Sequence, residues 1–309
     1  MSAHTQDYAP RELDTSLPLP LAEEEAAAPR SRLQRQWSQF RRSKLALPGA
    51  VIVIVFILLA IAAPVLAPWD PYENNLMDML VPPSWAHPFG TDELGRDILS
   101  RILYGARLSM VEGLFSVGLA MIVGVPFGML AAYVGGRTDT VLMRIIDVLL
   151  AFPGVLLAIV IVSILGASLI NAMIAVAIYT MPIFARLARG STLSVKQEPY
   201  IEACRAVGMT HSRILFRHIL PNIASTLWVM AALRVSLAIL TASSLSFLGL
   251  GAQPPSPEWG AMLATGRNYM LIAPHVALFP GAAIVLLVLG LNLLQDGLRM
   301  ALDPKMAER

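Results

Sequence analysis

The residue patterns in this 309-residue sequence that could perform covalent chemistry are all incomplete. A phosphate-cradling loop needs a Gly-Lys pair, so that backbone amides and an ammonium meet the phosphates. Lys44, Lys196 and Lys305 are the only lysines, and none follows a glycine. There is no His-Glu-x-x-His metal site and no Gly-x-Ser-x-Gly nucleophile elbow. His211 and His218, seven apart, suit a docking face better than a metal. Cys204 is the single cysteine, which excludes a disulfide framework. What remains binds or carries. Arg234 stands alone in an apolar run, and Arg144 and Asp147 are three apart, where they can neutralise each other. Glu112 and Asp296 lie near the ends of apolar runs, where a side chain reaches water.

The elements that must position these residues are membrane helices. Hydrophobic residues make up 56% of the chain and charged ones 14%, with a mean hydropathy of +0.64. A soluble domain carries about 25% charged residues, so a soluble enzyme is excluded, and the net charge of +2 gives no case for nucleic acid. About 20 apolar residues cross a bilayer. Leu47 to Ala67, Leu108 to Val134, Val141 to Leu165, Leu169 to Ala185, Ile223 to Leu250 and Ala277 to Leu294 meet that length closely enough to predict six spans. Placing both termini in the cytoplasm puts 18 basic residues inside and four outside, with Arg234 within a span, as the positive-inside rule requires. Arg234 then lies roughly 16 Å deep at about 1.5 Å per residue, and intramembrane charge is a functional signal. The polar stretch before the first span is expected to be disordered, its Arg41-Arg42-Ser43-Lys44 end holding anionic lipid.

The loops are more specific than the spans. Outside, Asp92 is expected to cap a helix whose apolar face is Ile98, Leu99, Ile102 and Leu103, lying on the membrane rather than crossing it. A second outside segment, Gln253-Pro254-Pro255-Ser256-Pro257-Glu258-Trp259, is a stiff extended path that serves as a lid or a surface for an external partner, with membrane anchoring through Trp259 as the plainer role. Inside, a long loop is bracketed by Pro199 and Pro221. Ile201 to Val207 should be helical, with Glu202 near its positive end. Gly208 can end that helix in the left-handed conformation. Thr210 can cap a second helix, with an apolar stripe of Ile214, Leu215 and Ile219 until Pro221 stops it. A helix–glycine–helix elbow of this kind needs a partner surface.

The spacing of Glu202-Ala203-Cys204, Gly208 and Leu220-Pro221 resembles the E-A-A…G…I-x-L-P loop of ATP-binding-cassette importer permeases, with Cys204 and His218 as departures. Phe89-Gly90-Thr91-Asp92, Leu94-Gly95-Arg96-Asp97, Gly105-Ala106-Arg107-Leu108-Ser109, Ala252-Gln253-Pro254-Pro255 and Asp296-Gly297-Leu298-Arg299 resemble the C-type permease subunit of dipeptide, oligopeptide and glutathione importers. Ile272-Ala273-Pro274-His275-Val276-Ala277, with Arg234, leans toward the glutathione importer's subunit.

That resemblance implies an all-α polytopic protein with the MetI-like fold of type I importer permeases, set in a bacterial inner membrane. The chain divides into a cytoplasmic tail (1–46), a first transmembrane helix (47–69), a periplasmic segment (70–107), a five-helix core (108–299) with a coupling loop (189–222), and a short tail (300–309). It further implies a transport subunit without ATPase activity or a bound cofactor of its own. Its partners would be a B-type permease, two cytoplasmic ATPases that use ATP, a periplasmic binding protein and a peptide cargo. Glu202, Ala203, Gly208, Leu220 and Pro221 would couple it to the ATPase. Arg234 and Asp147 would face the passage, and Gln253, Pro254, Pro255, Glu258 and Trp259 the binding protein. An ATP-independent channel or scaffold is the alternative, but neither has a use for a projecting elbow.

Overall fold

A computed structural model describes the backbone of residues 45–302 and the side chains of residues 45–297. The expectations for residues 1–44 and 303–309 lie outside the described residues. The principal helices are α1 (Ala46–Leu66), α2 (Ile98–Val134), α3 (Gly136–Ala151), α4 (Gly154–Leu165), α5 (Leu169–Lys196), α6 (Pro199–Ala206), α7 (Leu220–Phe247), α8 (Trp259–Gly266) and α9 (His275–Leu302). Among the described residues there is no strand, only an isolated bridge between Thr91 and Asp97.

Five helices, α1, α2, α5, α7 and α9, are long and apolar enough to cross a membrane. The third span is not the straight helix that its composition suggests. α3 and α4 meet at 93°, because Pro153 drives the preceding residue out of the helical region and Phe152 adopts φ −88°, ψ 137°. α3 lies across the end of the bundle, tied to α5 by Arg189 to Asp139 and Arg186 to Asp147. From there α4 runs beside α5, from Gly154 against Tyr179 to Leu165, whose carbonyl accepts from Asn171.

The bent pair is needed because α2 and α5 run parallel. Gly124 faces Met181, Gly128 faces Ala185, and Lys196 Nζ donates to the carbonyls of Ala132 and Tyr133 at 3.1 and 2.8 Å. A chain joining parallel helices must return to the starting side, and α3 with α4 is that return. The helices are close enough that a Cβ at Gly128 would lie 2.0 Å from the Ala185 carbonyl oxygen. The Gly-x-x-x-Gly spacing of Gly124 and Gly128 is the small-residue contact by which membrane helices approach closely.

The outer helix expected to lie on the membrane is instead the first turns of α2, which runs unbroken for 37 residues. Its N-cap is Asp97, which accepts from the Ser100 amide at 2.7 Å, rather than Asp92. The Asp92 carboxylate is occupied by the Leu94 and Arg96 amides and by Arg96 Nε. The apolar residues of α2 also serve a protein core: Ile98, Ile102 and Ala106 pack with Phe56, Trp259, Val276 and Leu287. A second cluster joins α2, α4, α5 and α7 around Val117, Val162, Phe184 and Leu245.

Candidate functional site

The cytoplasmic elbow forms around Pro199, which opens α6 in the position where a missing N–H costs nothing. α6 ends as expected, with Gly208 at φ +74° and Met209 N donating back to the Cys204 carbonyl at 3.0 Å. The following segment departs from expectation. Thr210 occupies the N-cap position of a single turn, His211–Arg213, but its side chain makes no capping bond. Pro221 does not stop the helix either. Ile214–Ile219 takes a π-helical register that leads directly into α7, so Pro221 sits in the first turn of α7. Asn222 supplies donors that the proline lacks, bonding the His218 carbonyl at 2.6 Å and the Tyr200 hydroxyl at 3.1 Å.

Ile201, Ile214 and Ile219 are completely buried and join the α2–α5–α7 core. The opposite face is bare. Glu202, Ala203, Gly208 and Pro221 are exposed, and Leu220 is half-buried. Val207 on the elbow is 78% exposed, and Phe216, in the π-helical turn that runs into α7, is 62% exposed. Cys204 turns inward against the core, so its departure from alanine leaves the exposed face unchanged. His211 Nδ1 lies 2.8 Å from the Tyr133 hydroxyl and ties the elbow to the end of α2. The arrangement is an anchored surface with apolar groups and charges of both signs, Glu202 with Arg205, Arg213 and Arg217, facing outward.

Arg234 is the fifteenth of the 28 residues of α7, half-buried, and its Nε has no hydrogen-bond partner among the described residues. The structure does not bring Asp147 to it. Asp147 does not pair with Arg144 either: it receives Arg186 at 2.9 Å, while Arg144 is exposed. The bend at Pro153 turns α3 toward α5, which exchanges a neighbour on the same helix for one across the bundle. Glu112 also differs from expectation. The unbroken α2 places it at the fifteenth residue, completely buried rather than reaching water.

The outer proline-rich segment divides in two. Gln253, Pro254 and Pro255 are exposed. Glu258 and Trp259 are completely buried, so neither can meet an external partner or anchor the surface in lipid. The Glu258 carboxylate caps α8, accepting from the Gly260 and Ala261 amides at 2.8 Å each. Burial pushes that carboxyl above its ordinary range, while those two amides and the Ser246 and Ser243 hydroxyls pull it back. Trp259 Nε1 donates to the Ile102 carbonyl at 3.1 Å, and its indole occupies the space that a side chain at Gly105 would fill. Arg101 completes the joint. Its guanidinium donates to the carbonyls of Pro71 (2.8 Å), Pro255 (3.3 Å) and Ser256 (3.2 Å), and its Nε lies 3.5 Å from Asp92. Sequence reasoning missed this clamp. Its signal was an arginine inside an otherwise apolar helical face.

The family described as binding-protein-dependent transport system inner membrane component matches residues 124–308, and the N-terminal TM domain of oligopeptide transport permease C matches residues 31–83. The glutathione transport system permease protein GsiD of Pectobacterium atrosepticum is 52% identical over 271 residues, covering 87% of this chain and 90% of that protein. The dipeptide transport system permease protein DppC of Alkalihalophilus pseudofirmus is 51% identical over 270 residues, covering 87% and 89%. Among solved structures, an inward-facing form of the MetNI methionine ABC transporter matches with a TM-score of 0.54 at 18% identity, covering 67% of this chain and 98% of that one. That likeness speaks for the fold alone. With the family match spanning more than half of its length, the chain belongs to the binding-protein-dependent transport system inner membrane components, as a multi-pass inner-membrane permease.

Proposed function

We propose that the chain is the C-type permease subunit of an ATP-binding-cassette importer for small peptides: dipeptides, oligopeptides or glutathione. The observation that carries this reading is the elbow. Three buried isoleucines hold it to the bundle, while Glu202, Ala203, Val207 and Gly208 face outward. Such a face fits a groove on a cytoplasmic ATPase. The glutathione and dipeptide permeases among its relatives support the cargo class.

In this reading a B-type permease forms the other half of the passage, and two ATPases lie beneath. A periplasmic binding protein delivers peptide near Gln253, Pro254 and Pro255. ATP is used by the ATPases, and this chain holds no cofactor. ATP binding draws the two elbows together and opens the cavity outward; hydrolysis resets it. Leu220 and Pro221 pass the elbow's movement into α7, which carries Arg234. The Arg234 guanidinium attracts a peptide carboxylate in passing, as a planar, permanently charged group can. Asp147, held by Arg186 at the cytoplasmic rim, meets cargo only on exit.

Gly208→Val tests the reading. A β-branched residue is strongly disfavoured at φ +74°, and nothing lies within 4 Å of the added Cβ, so the disturbance stays within the elbow. The variant should insert normally, lose co-purification with the ATPases and lose ATP-driven uptake into proteoliposomes. Unchanged uptake would overturn the assignment. Uptake that needs no ATP in either protein would favour a channel.

A further inference from the structure

An apolar groove of about 410 Å³ lies between α7, α8 and α9, walled by Leu240, Phe247, Leu248, Leu263, Ile284 and Val285. Its volume falls in the range of small-ligand clefts, about 300–1,000 Å³. α7 leads outward from the cytoplasmic elbow and α9 starts at the outer end, so the last turns of α7 and the first turns of α9 place the groove in the outer half of the bundle. It is open along one side, where Leu240, Leu248 and Val285 are exposed. From Leu240 to Leu248 it runs about 12 Å at about 1.5 Å per residue, close to half of the roughly 30 Å hydrocarbon core.

Two serines also line the groove, but their hydroxyl protons are engaged elsewhere. Ser243 Oγ donates to Glu258 at 3.2 Å, and Ser244 Oγ donates to the Leu240 carbonyl at 2.7 Å. The lining side chains therefore have no donor left for a polar occupant. On α7, Leu240, Ser243 and Phe247 fall on the side away from Arg234 by helical period, so the groove is turned away from the proposed passage.

The outer rim carries a charge. Arg267 follows α8 directly, is exposed, and holds its guanidinium carbon 5.3 Å from the centre of the Phe247 ring that walls the groove. Among the described residues no carboxylate pairs with it. Arg96 and Arg101, also on the outer side, are buried and committed to protein partners. Beyond Arg267 the chain exposes Met270, Leu271 and Ile272 in succession, and three bare apolar side chains in a row mark a surface that meets lipid or protein rather than water.

We propose that the groove binds an acyl chain of an anionic phospholipid from the outer leaflet, with the headgroup phosphate on Arg267. An apolar trough as long as one leaflet is deep suits a hydrocarbon chain, and a cation at its outer rim suits the phosphate above it. The Phe247 ring steadies the guanidinium from one side while its N–H donors stay free for phosphate oxygens. The lipid fills the gap that α7, α8 and α9 leave between them.

The test is photolabelling of the full importer complex in phosphatidylcholine nanodiscs doped with phosphatidylglycerol that carries a diazirine on its acyl chain. Mass spectrometry should map the label to residues 240–248 and 281–285. Arg267→Gln should lower labelling there about fivefold. Gly281→Leu should abolish it by filling the groove, since a Cβ at that position meets only Leu263, at 3.5 Å. Phosphatidylcholine with the same diazirine should label the site less. A wild type without label at these residues overturns the proposal, and needs no variant to fold; a helix of a partner permease seated in the groove would give that result. Undiminished labelling in Arg267→Gln overturns it too, as does equal labelling of the wild type by the phosphatidylcholine probe.

Discussion

The two ends of the bundle treat polar side chains in opposite ways. At the outer end they turn inward: Arg101, Asp92, Asp97 and Glu258 are buried and bonded, joining a loop near residue 71 to one near residue 255. At the cytoplasmic end they turn outward: Glu202, Arg205, Arg213 and Arg217 are exposed, and the elbow is held from within chiefly by the buried Ile201, Ile214 and Ile219. Buried, bonded polar groups specify one arrangement of a loop. An exposed polar rim around apolar residues specifies a partner. Proline therefore marks stiffness at both ends, with the polar groups buried at one and exposed at the other, where the proposed docking face lies.

This contrast can be broken by comparing stability with ATPase binding in purified complexes. The largest effect is expected for Trp259→Ala, which removes a completely buried indole and its bond to Ile102. The loss should be about 3–5 kcal/mol, read as a lower midpoint in fluorescence-detected thermal unfolding. Arg101→Ala follows. It leaves three carbonyls without their donor and removes the positive charge 3.5 Å from Asp92, and should cost about 3 kcal/mol, with poor rescue by Arg101→Lys because the fork of donors is lost. Gly208→Val should cost about 1–3 kcal/mol of local strain and scarcely move the midpoint, yet abolish ATPase co-purification. Asp147→Asn should have the smallest effect, at most about 1 kcal/mol, because its pair with Arg186 is exposed. A Gly208→Val protein that unfolds, or a Trp259→Ala protein that stays stable but loses its ATPase, would erase the distinction between the two ends.

The spans were legible because apolar length is a physical requirement of lipid, and the elbow because Pro199, Gly208 and Pro221 each restrict the backbone in a known way. The bend between α3 and α4 carried its own signal in Pro153, but continuous hydropathy hid it. Glu258 and Trp259 were misjudged for a different reason. Three nearby prolines suggest an exposed loop, whereas whether a residue beside them faces in or out depends on contacts with Ile102 and Gly105, far away in the chain. Arg101 and Glu112 were obscured in the same way, since buried polar residues on a helix take their meaning from what packs opposite. Asp147 has a helical neighbour at Arg144, and only the bend reveals Arg186 as its partner.

The close seam between α2 and α5 has a mechanical meaning. At Gly128 the helices meet backbone to backbone, with no side chain between them to compress, and dense packing transmits displacement rather than absorbing it. α5 ends at Lys196, and only Gln197 and Glu198 separate it from α6, so the elbow is joined directly to the end of α5. α2 shares that displacement and extends about 55 Å at 1.5 Å per residue, as far as the turns that hold Arg101. The pair gives a shift imposed at its cytoplasmic foot a continuous, closely packed path to the outer clamp.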